Sequence, residues 1–415
     1  MCGLSQSQKR NMERMVEQVA ESQYYSIQHF ISESPWGARA AFESVTRDTD
    51  KIFEGYPVVC LLIDESAHTK KGKKSVGVSC QYSGQLGKVE NCRVAVYGAL
   101  SAGEYYSLID AYLYLPREWA DDKKRCEATG IPGHDIRFRT KPELAGEMLA
   151  YHKERGTRFH WAVADGLYGH DSKLREQAND LGVLYMFDVH NDDRVYLGSP
   201  QIYLPEKTSS KGRKPTHLKT GTPSHKVIDL GKQLEEEHWK EYHIRNTTKG
   251  ELHAHVWVKK VYTWNGTSQD YREETLVIRR TKDDIGRFEY KCSLTNACGQ
   301  KYSWLELAQV QSQRYFVERS FQEAKGQAGM SEYQVRGWLA WHHHMAMVMM
   351  SMYFVLSEKM LYSDQYPLLS SYDVRQFMIH TYACKINSAE DVLEQMNFRH
   401  KQRKIAINQY YKLQT

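Results

Sequence analysis

Apolar positions near the start of the chain recur at helical spacing. Met12, Met15, Val16, Val19 and Ala20 predict a helix, and Ser34-Pro35 marks a turn before another short one. At Val58 the pattern changes. Val58 to Ile63 is continuous, apolar and rich in β-branched residues, which predicts a buried central strand with Asp64-Glu65 at its exit. Ser75–Cys80 and Cys92–Leu100 predict two further strands, with Gly84 and Gly87 between them and links short enough for antiparallel pairing. Residues 104–115 fit a strand or a short helix. Pro142–Arg155 predicts a helix opened by Lys141-Pro142. Phe159–Ala164 is a second buried strand, tipped by Asp165 and followed by Gly166 and Gly169. A helix over Leu174–Leu181 and a strand over Val183–Phe187 complete an alternation of the α/β type.

Beyond about residue 190 the texture changes again. Lys207 to Lys226 carries six basic residues, no acid and little that packs, so it is expected to be a loop. His253–Val261 and Glu274–Arg280 predict strands, and helices resume at Trp304 and run to about Met360. The expected organisation is a helical N-terminal region (1–50), a first part of an α/β core (51–190), a β-rich insertion (191–290), a second part of the core (291–360) and a helical C-terminal region (361–415). The N-terminal region is a candidate for DNA binding. No repeat or heptad array interrupts this plan.

Composition narrows the class. Of 415 residues, 41% are hydrophobic, enough for a real core, which excludes collagen-like, mucin-like and disordered classes. A net charge of +5 permits a nucleic-acid partner without requiring one. The eight cysteines show no CxxC pair, which points to free thiols in a reducing compartment. The first residues lack the apolar segment of a secretion signal, and Met345–Leu356 is too short to span a bilayer. A cytoplasmic protein is expected. His342-His343-His344 is expected to lie partly at the surface of a packed helix, since adjacent helical positions diverge and do not share one metal.

The candidate chemistry lies in the acids. Asp64 and Asp165 each follow an apolar strand, where sites form in α/β folds. Two converging carboxylates repel unless a proton or a cation intervenes, and a hard divalent cation prefers oxygen ligands. By pattern alone, a pair of cap or turn acids is an equally good reading. In Arg314–Lys325, the residues Arg314, Glu318, Gln322 and Lys325 share one helical face. That face is either simply solvated or supplies a third metal ligand, Glu318, with Arg314 and Lys325 on phosphates. Glu65 and Asp188 are candidate supporting acids. Lys70, Lys71, Lys73 and Lys74 form a basic run after Asp64, either a solvated hairpin or a clamp on a nucleic-acid backbone. The 207–226 run, with Arg213 and Lys214, suits phosphate contact or an ordinary surface loop equally.

Glu318, with Arg314 four positions before and Lys325 seven after, resembles the Tyr-Arg-Glu-Lys signature of insertion-sequence transposases with an Asp-Asp-Glu triad. The blocks Ile63–Val78, Gln81–Cys92 (which includes Lys88), Ala164–Gly169, Lys249–Leu252 and Tyr333–Trp338 resemble that family in the same order, so the likeness runs from about residue 9 to 355. The resemblance implies a ribonuclease-H-like mixed-sheet core with a β-rich insertion between the second Asp and the Glu. It implies that Asp64, Asp165 and Glu318 bind two Mg²⁺ (or Mn²⁺) ions and drive strand cleavage at transposon ends and transfer of 3′ ends to target DNA. Lys70, Lys71, Lys73, Lys74, Lys88, Arg213, Lys214, Arg314 and Lys325 are then the expected DNA contacts. A homodimer on double-stranded DNA and a nucleoid-associated protein in a bacterial cytoplasm follow. An inactive end-binding relative and another ribonuclease-H-like nuclease are the alternatives. Two departures stand out: Gln311 occupies the signature tyrosine position, with Tyr315 in another register, and the N-terminal DNA-binding part is expected to be shortened.

Overall fold

The computed structural model describes residues 10–19, 22–84, 86–206, 214–247, 250–283, 285–299, 301–381 and 388–412. They fold as two compact units, one of residues 39–322 and one formed by 1–38 together with 323–415.

The larger unit is built on a mixed sheet. Its strands are β1 (Cys60–Thr69), β2 (Ser79–Ser83), β3 (Lys88–Ala102), β4 (Tyr105–Leu113), β5 (Trp161–Ala164), β6 (Leu184–Asp188), β7 (Arg194–Tyr196), β8 (Ile202–Tyr203), β9 (Lys219–Thr220), β10 (Ser224–Lys226), β11 (Lys240–Thr247), β12 (Gly250–Thr263), β13 (Arg272–Lys282) and β14 (Phe288–Thr295). β1 lies at the centre, antiparallel to β3 and parallel to β5. β5 in turn is parallel to β6. β4 and β2 share the far edge of β3. On the other side β6 pairs antiparallel with β14, so β14, β13, β12 and β11 continue the same sheet outward. β8 and β9 form a separate two-stranded ribbon.

β1 departs from the sequence pattern in an instructive way. The apolar run places a strand end at Asp64, yet β1 continues to Thr69 because the 15-residue β3 pairs with it throughout. Only the parallel partner stops, at Ala164. The strand expected over Ser75–Cys80 starts later, at Ser79, and residues 104–115 resolve as β4. β11 and β14 were not expected. Only Ile244 of β11 is buried, so that strand carries no apolar run, and β14 alternates apolar and polar residues from Phe288 to Thr295, a strand pattern outside the segments expected.

Helices cover the sheet. Lys141–Glu154 opens on a capping box in which Thr140 and Glu143 satisfy each other's backbone, and Leu144, Met148 and Leu149 bury its inner side. The outer strands have their own core, with Val227, Val261, Leu276, Ile278, Cys292 and Leu294 around Trp239. Trp304–Ser312 and Tyr315–Gln327 follow β14, and Phe316 and Phe321 pack on Tyr106 and Tyr97.

The second unit is helical, with Met12–Gln18, Tyr24–Ser32, Trp338–Leu361, Ser371–Thr381 and Ala389–Lys412. Of the three histidines expected to lie partly at the surface, His342 is half-buried, but His343 and His344 are buried. The His343 ring nitrogens meet the carbonyls of Ile31 and Trp36 at 2.9 and 2.7 Å, and His344 Nε2 meets that of Gly329 at 3.1 Å. The helix is apolar nearly all round, which draws them inside. No helix among the described residues is long and apolar enough to cross a membrane.

Candidate active site

Register sets the site. Ile63 of β1 lies opposite Ala164, the last residue of β5, so Asp64 and Asp165 follow side by side at the carboxyl end of the parallel pair. Asp165 leaves the sheet as the N-cap of the short helix Gly166–His170, its Oδ1 accepting from Leu167 N at 3.0 Å. That helix lies close against β6. A Cβ on Gly169 would stand 1.8 Å from the Asp188 carbonyl oxygen, so only glycine permits the approach.

Oxygens of Asp64, Glu65 and Asp165 come within 4.8 Å of one another. Glu65 is held by Lys141 Nζ and by the Tyr168 hydroxyl, each at 2.8 Å. Asp64 is 9% exposed. Burial, then Asp165 and Glu65, push its carboxyl well above the usual range. Burial and then Glu65 raise Asp165 as well. Carboxyl groups are thus crowded here, and Asp64 and Asp165 are both harder to ionise than usual.

The main offset is Arg314, which reaches Asp188 through Nε at 3.0 Å, Glu318 through Nη2 at 2.8 Å and Asp64 through Nη1 at 3.6 Å. One guanidinium therefore links the first acid of the sheet to the glutamate one helical turn further on. Burial draws Arg314 down, but Asp188, Asp64, Glu318 and Asp165 carry it above the usual arginine value. Asp188 is further fixed by Ser293 Oγ at 2.6 Å, which accepts from Gln311 Nε2 at 2.7 Å. Gln311 is 2% exposed, so this position is a buried brace in the layer behind Arg314, where a reaching phosphate contact has no room.

The remaining expected residues lie apart. Lys70, Lys71, Lys73 and Lys74 occupy the loop after β1, roughly 20 Å along the strand from Asp64 at about 3.3 Å per residue. Lys71, Lys73 and Lys74 are exposed. Lys70 is partly buried, and burial followed by Arg93 draws its amine down to about 7. Lys88, on β3, pairs with Glu90 at 3.1 Å. Lys214 is exposed, while Lys207, Lys211 and Arg213 lie outside the described residues. Lys325 sits on the same helix as Glu318 but belongs to the second unit.

Sequence reasoning missed Ser293, Lys291 and Arg279. A signal was present in Leu276-Val277-Ile278-Arg279-Arg280, where charge interrupts an apolar strand.

The donor set suits a hard divalent cation: carboxylate oxygens only, clustered and under mutual repulsion. Asp64, Glu65 and Asp165 form the cluster. Glu318 joins it through Arg314.

A model of the DDE superfamily endonucleases matches residues 3–251, a span that includes both aspartates and ends before Glu318. A protein of Microchaete diplosiphon described as a probable transposase for insertion sequence element IS701 is 29% identical over 197 residues, 47% of this chain. The match covers 48% of that relative, about half its length. A solved chain of the piggyBac transposase synaptic complex with hairpin DNA aligns over 78% of this chain and 51% of its own, at 11% identity and a TM-score of 0.34, too weak to bear on the fold.

Proposed function

Because the chain belongs to the DDE superfamily endonucleases, we propose that it is an insertion-sequence transposase that cleaves transposon ends and joins their 3′ ends to target DNA. The observation that carries this reading is the register of β1 and β5, which sets Asp64 beside Asp165 while Arg314 ties Glu318 to Asp64. The strand order β4-β3-β1-β5-β6, with helices between β4 and β5 and between β5 and β6, supports a ribonuclease-H-like core.

In this reading Asp64, Asp165 and Glu318 hold two Mg²⁺ ions, with Mn²⁺ able to replace them. Bound there, the ions supply activation of the attacking water or 3′ hydroxyl and neutralise charge on the leaving oxygen. The chain's own groups fix the geometry. Lys141 and Tyr168 hold Glu65 against the cluster. Arg314 orients Glu318 and balances its charge, and Ser293 and Gln311 fix Asp188 behind it. Lys71, Lys73, Lys74, Lys88, Lys214 and Lys325 bind DNA backbone away from the reacting phosphate, where the affinity arises. The working form is a homodimer on double-stranded DNA at the bacterial nucleoid.

The test separates affinity from chemistry. Asp64→Asn, Asp165→Asn and Glu318→Gln each keep shape and remove charge. Each is expected to abolish Mg²⁺-dependent cleavage of a labelled duplex bearing the element's ends, with gel-shift affinity largely intact. Cleavage near the parent rate by any one variant removes that residue from the triad. Cleavage by all three overturns the reading. A parent that binds ends but never cuts is an inactive end-binding relative.

A further inference from the structure

The strands beyond β6 carry two very different faces. On one, Leu276, Ile278, Cys292 and Leu294 fill the outer core. The register fixes the other. Ser293 lies opposite Asp188 on β6 and opposite Val277 on β13, so these three share a face. Two residues along, on that same face, Lys291 lies directly opposite Arg279. A polar stripe therefore runs outward from the acid site: Asp188, Ser293, then Lys291 beside Arg279.

Arg279 is 8% exposed. Among the described residues neither its guanidinium nor the Lys291 amine makes a hydrogen bond or ion pair with a protein group. A buried cation is normally paired, because an unpaired one loses hydration without recompense. The acid within electrostatic reach of Arg279 is Asp188, which is already taken by Arg314 and Ser293, and the cations Arg245 and Arg314 face it as well. Lys291, exposed on the same face, has Arg314, Asp188, Arg279 and Glu318 as its charged neighbours. Burial holds Arg279 below its ordinary value; Asp188 opposes this, and Arg245 and Arg314 add to it. Positive charge is thus assembled beside the acids with donors left over.

We propose that Arg279 and Lys291 form an anion subsite that takes a backbone phosphate of the DNA strand next to the reacting phosphodiester. A phosphate bridging the two supplies the missing acceptors, with the planar fork of Arg279 fixing its orientation and Lys291 acting as a point charge. Their place on one sheet with Asp188 ties that phosphate rigidly to the acid cluster. The subsite rests on the transposase reading above and adds residues to it.

The experiment uses the full-length chain and a fluorescein-labelled duplex, with binding followed against KCl concentration. The double variant Arg279→Gln/Lys291→Gln is expected to flatten the slope of log K against log salt by about 0.9, the value for one fewer phosphate neutralised, and Arg279→Gln and Lys291→Gln alone each by part of that. Arg279→Lys is expected to retain the slope while lowering the cleavage rate, because charge remains and the fork is removed. Lys123→Gln, an exposed lysine on a surface helix, is the control and should leave both unchanged. Thermal melting checks folding; if Arg279→Gln fails to fold, Lys291→Gln and Arg279→Lys decide. Folded variants with the parental slope overturn the subsite alone, since the triad variants still test the chemistry. A parent that does not bind the duplex overturns both.

Discussion

Replacing Arg314 with methionine removes the one cation shared by three carboxylates. Its cost follows from how buried each contact is. The Asp188 contact is a close charged pair at 3.0 Å with the acid side chain only 15% exposed. Stranding one partner of a buried pair costs about 3–5 kcal/mol. The Asp64 contact, at 3.6 Å, is too long for a hydrogen bond and adds little. Glu318 is 49% exposed, so that contact adds under about 1 kcal/mol. With some relaxation and entry of water, a destabilisation of about 3 kcal/mol is expected in chelator at neutral pH. At about 2 °C per kcal/mol for a unit of this size, the melting point of the 39–322 unit falls by roughly 6 °C. A cation bound by the same acids takes over part of the role of Arg314. Mg²⁺ at a hundred times its dissociation constant stabilises by about 2.7 kcal/mol, and the variant, which lacks the competing guanidinium, should bind it more tightly. Melting curves with chelator and across a Mg²⁺ titration measure both. The gap between parent and Arg314→Met should shrink by at least half as Mg²⁺ saturates. An equal gap with and without metal, or no gap in chelator, would refute the view that Arg314 and the cation answer to the same negative charge.

Two further outcomes are expected. Burial raises Asp110, but Arg39 at 2.7 Å and His152 at 3.2 Å more than reverse this and hold it at about 2; because Arg39 is 38% exposed, the contribution is discounted to about 1–2 kcal/mol. The folded value lies below the ordinary one, so this stability is present above about pH 4 and disappears as pH falls toward 2; denaturant melts of parent and Asp110→Asn should converge over that window, and a constant gap would contradict the assignment. Gly169→Ala drives a Cβ into the Asp188 carbonyl and should destabilise by about 3 kcal/mol or more and abolish cleavage, whereas Gly326→Ala, on a helix with open space, should stabilise by about 0.5–1 kcal/mol; near-parental stability of Gly169→Ala would show that the helix is free to lift from β6.

The two aspartates stand out in the sequence because burial on both faces makes β1 and β5 continuous apolar runs, and each run breaks at an acid. Their adjacency was not legible, since register depends on partner strands far away in sequence: Asp64 stands beside Asp165 only because Ile63 pairs with Ala164. The lysine run looked adjacent to Asp64, but β3 holds β1 extended through Thr69 and carries that run away. Gln311 read as a defect in a signature. In three dimensions it is a donor to Ser293 at the back of the site, a role that follows from the pairing of β14 with β6 and is not readable from position 311 alone.

The outer strands carry more than an appended sheet requires. An appended sheet needs one apolar face for its own core, and Ile278 and Cys292 supply it. Its other face is free to be neutral. Instead it places Ser293 against Asp188, and Arg279 opposite Lys291 one step further out. Burying an arginine without a protein acceptor costs stability that a neutral residue would not cost. The acids alone do not explain that choice, since Arg314 already answers Asp188. The proposed polyanion beside the acids does: its phosphates would need positive charge next to the carboxylates, held at a fixed distance by shared strands. Continuity of the sheet from β5 through β6 to β14 and β13 provides that fixed distance, so in the proposed reading the acids and the Arg279–Lys291 pair sit on one rigid element and need no separate docking step to come together.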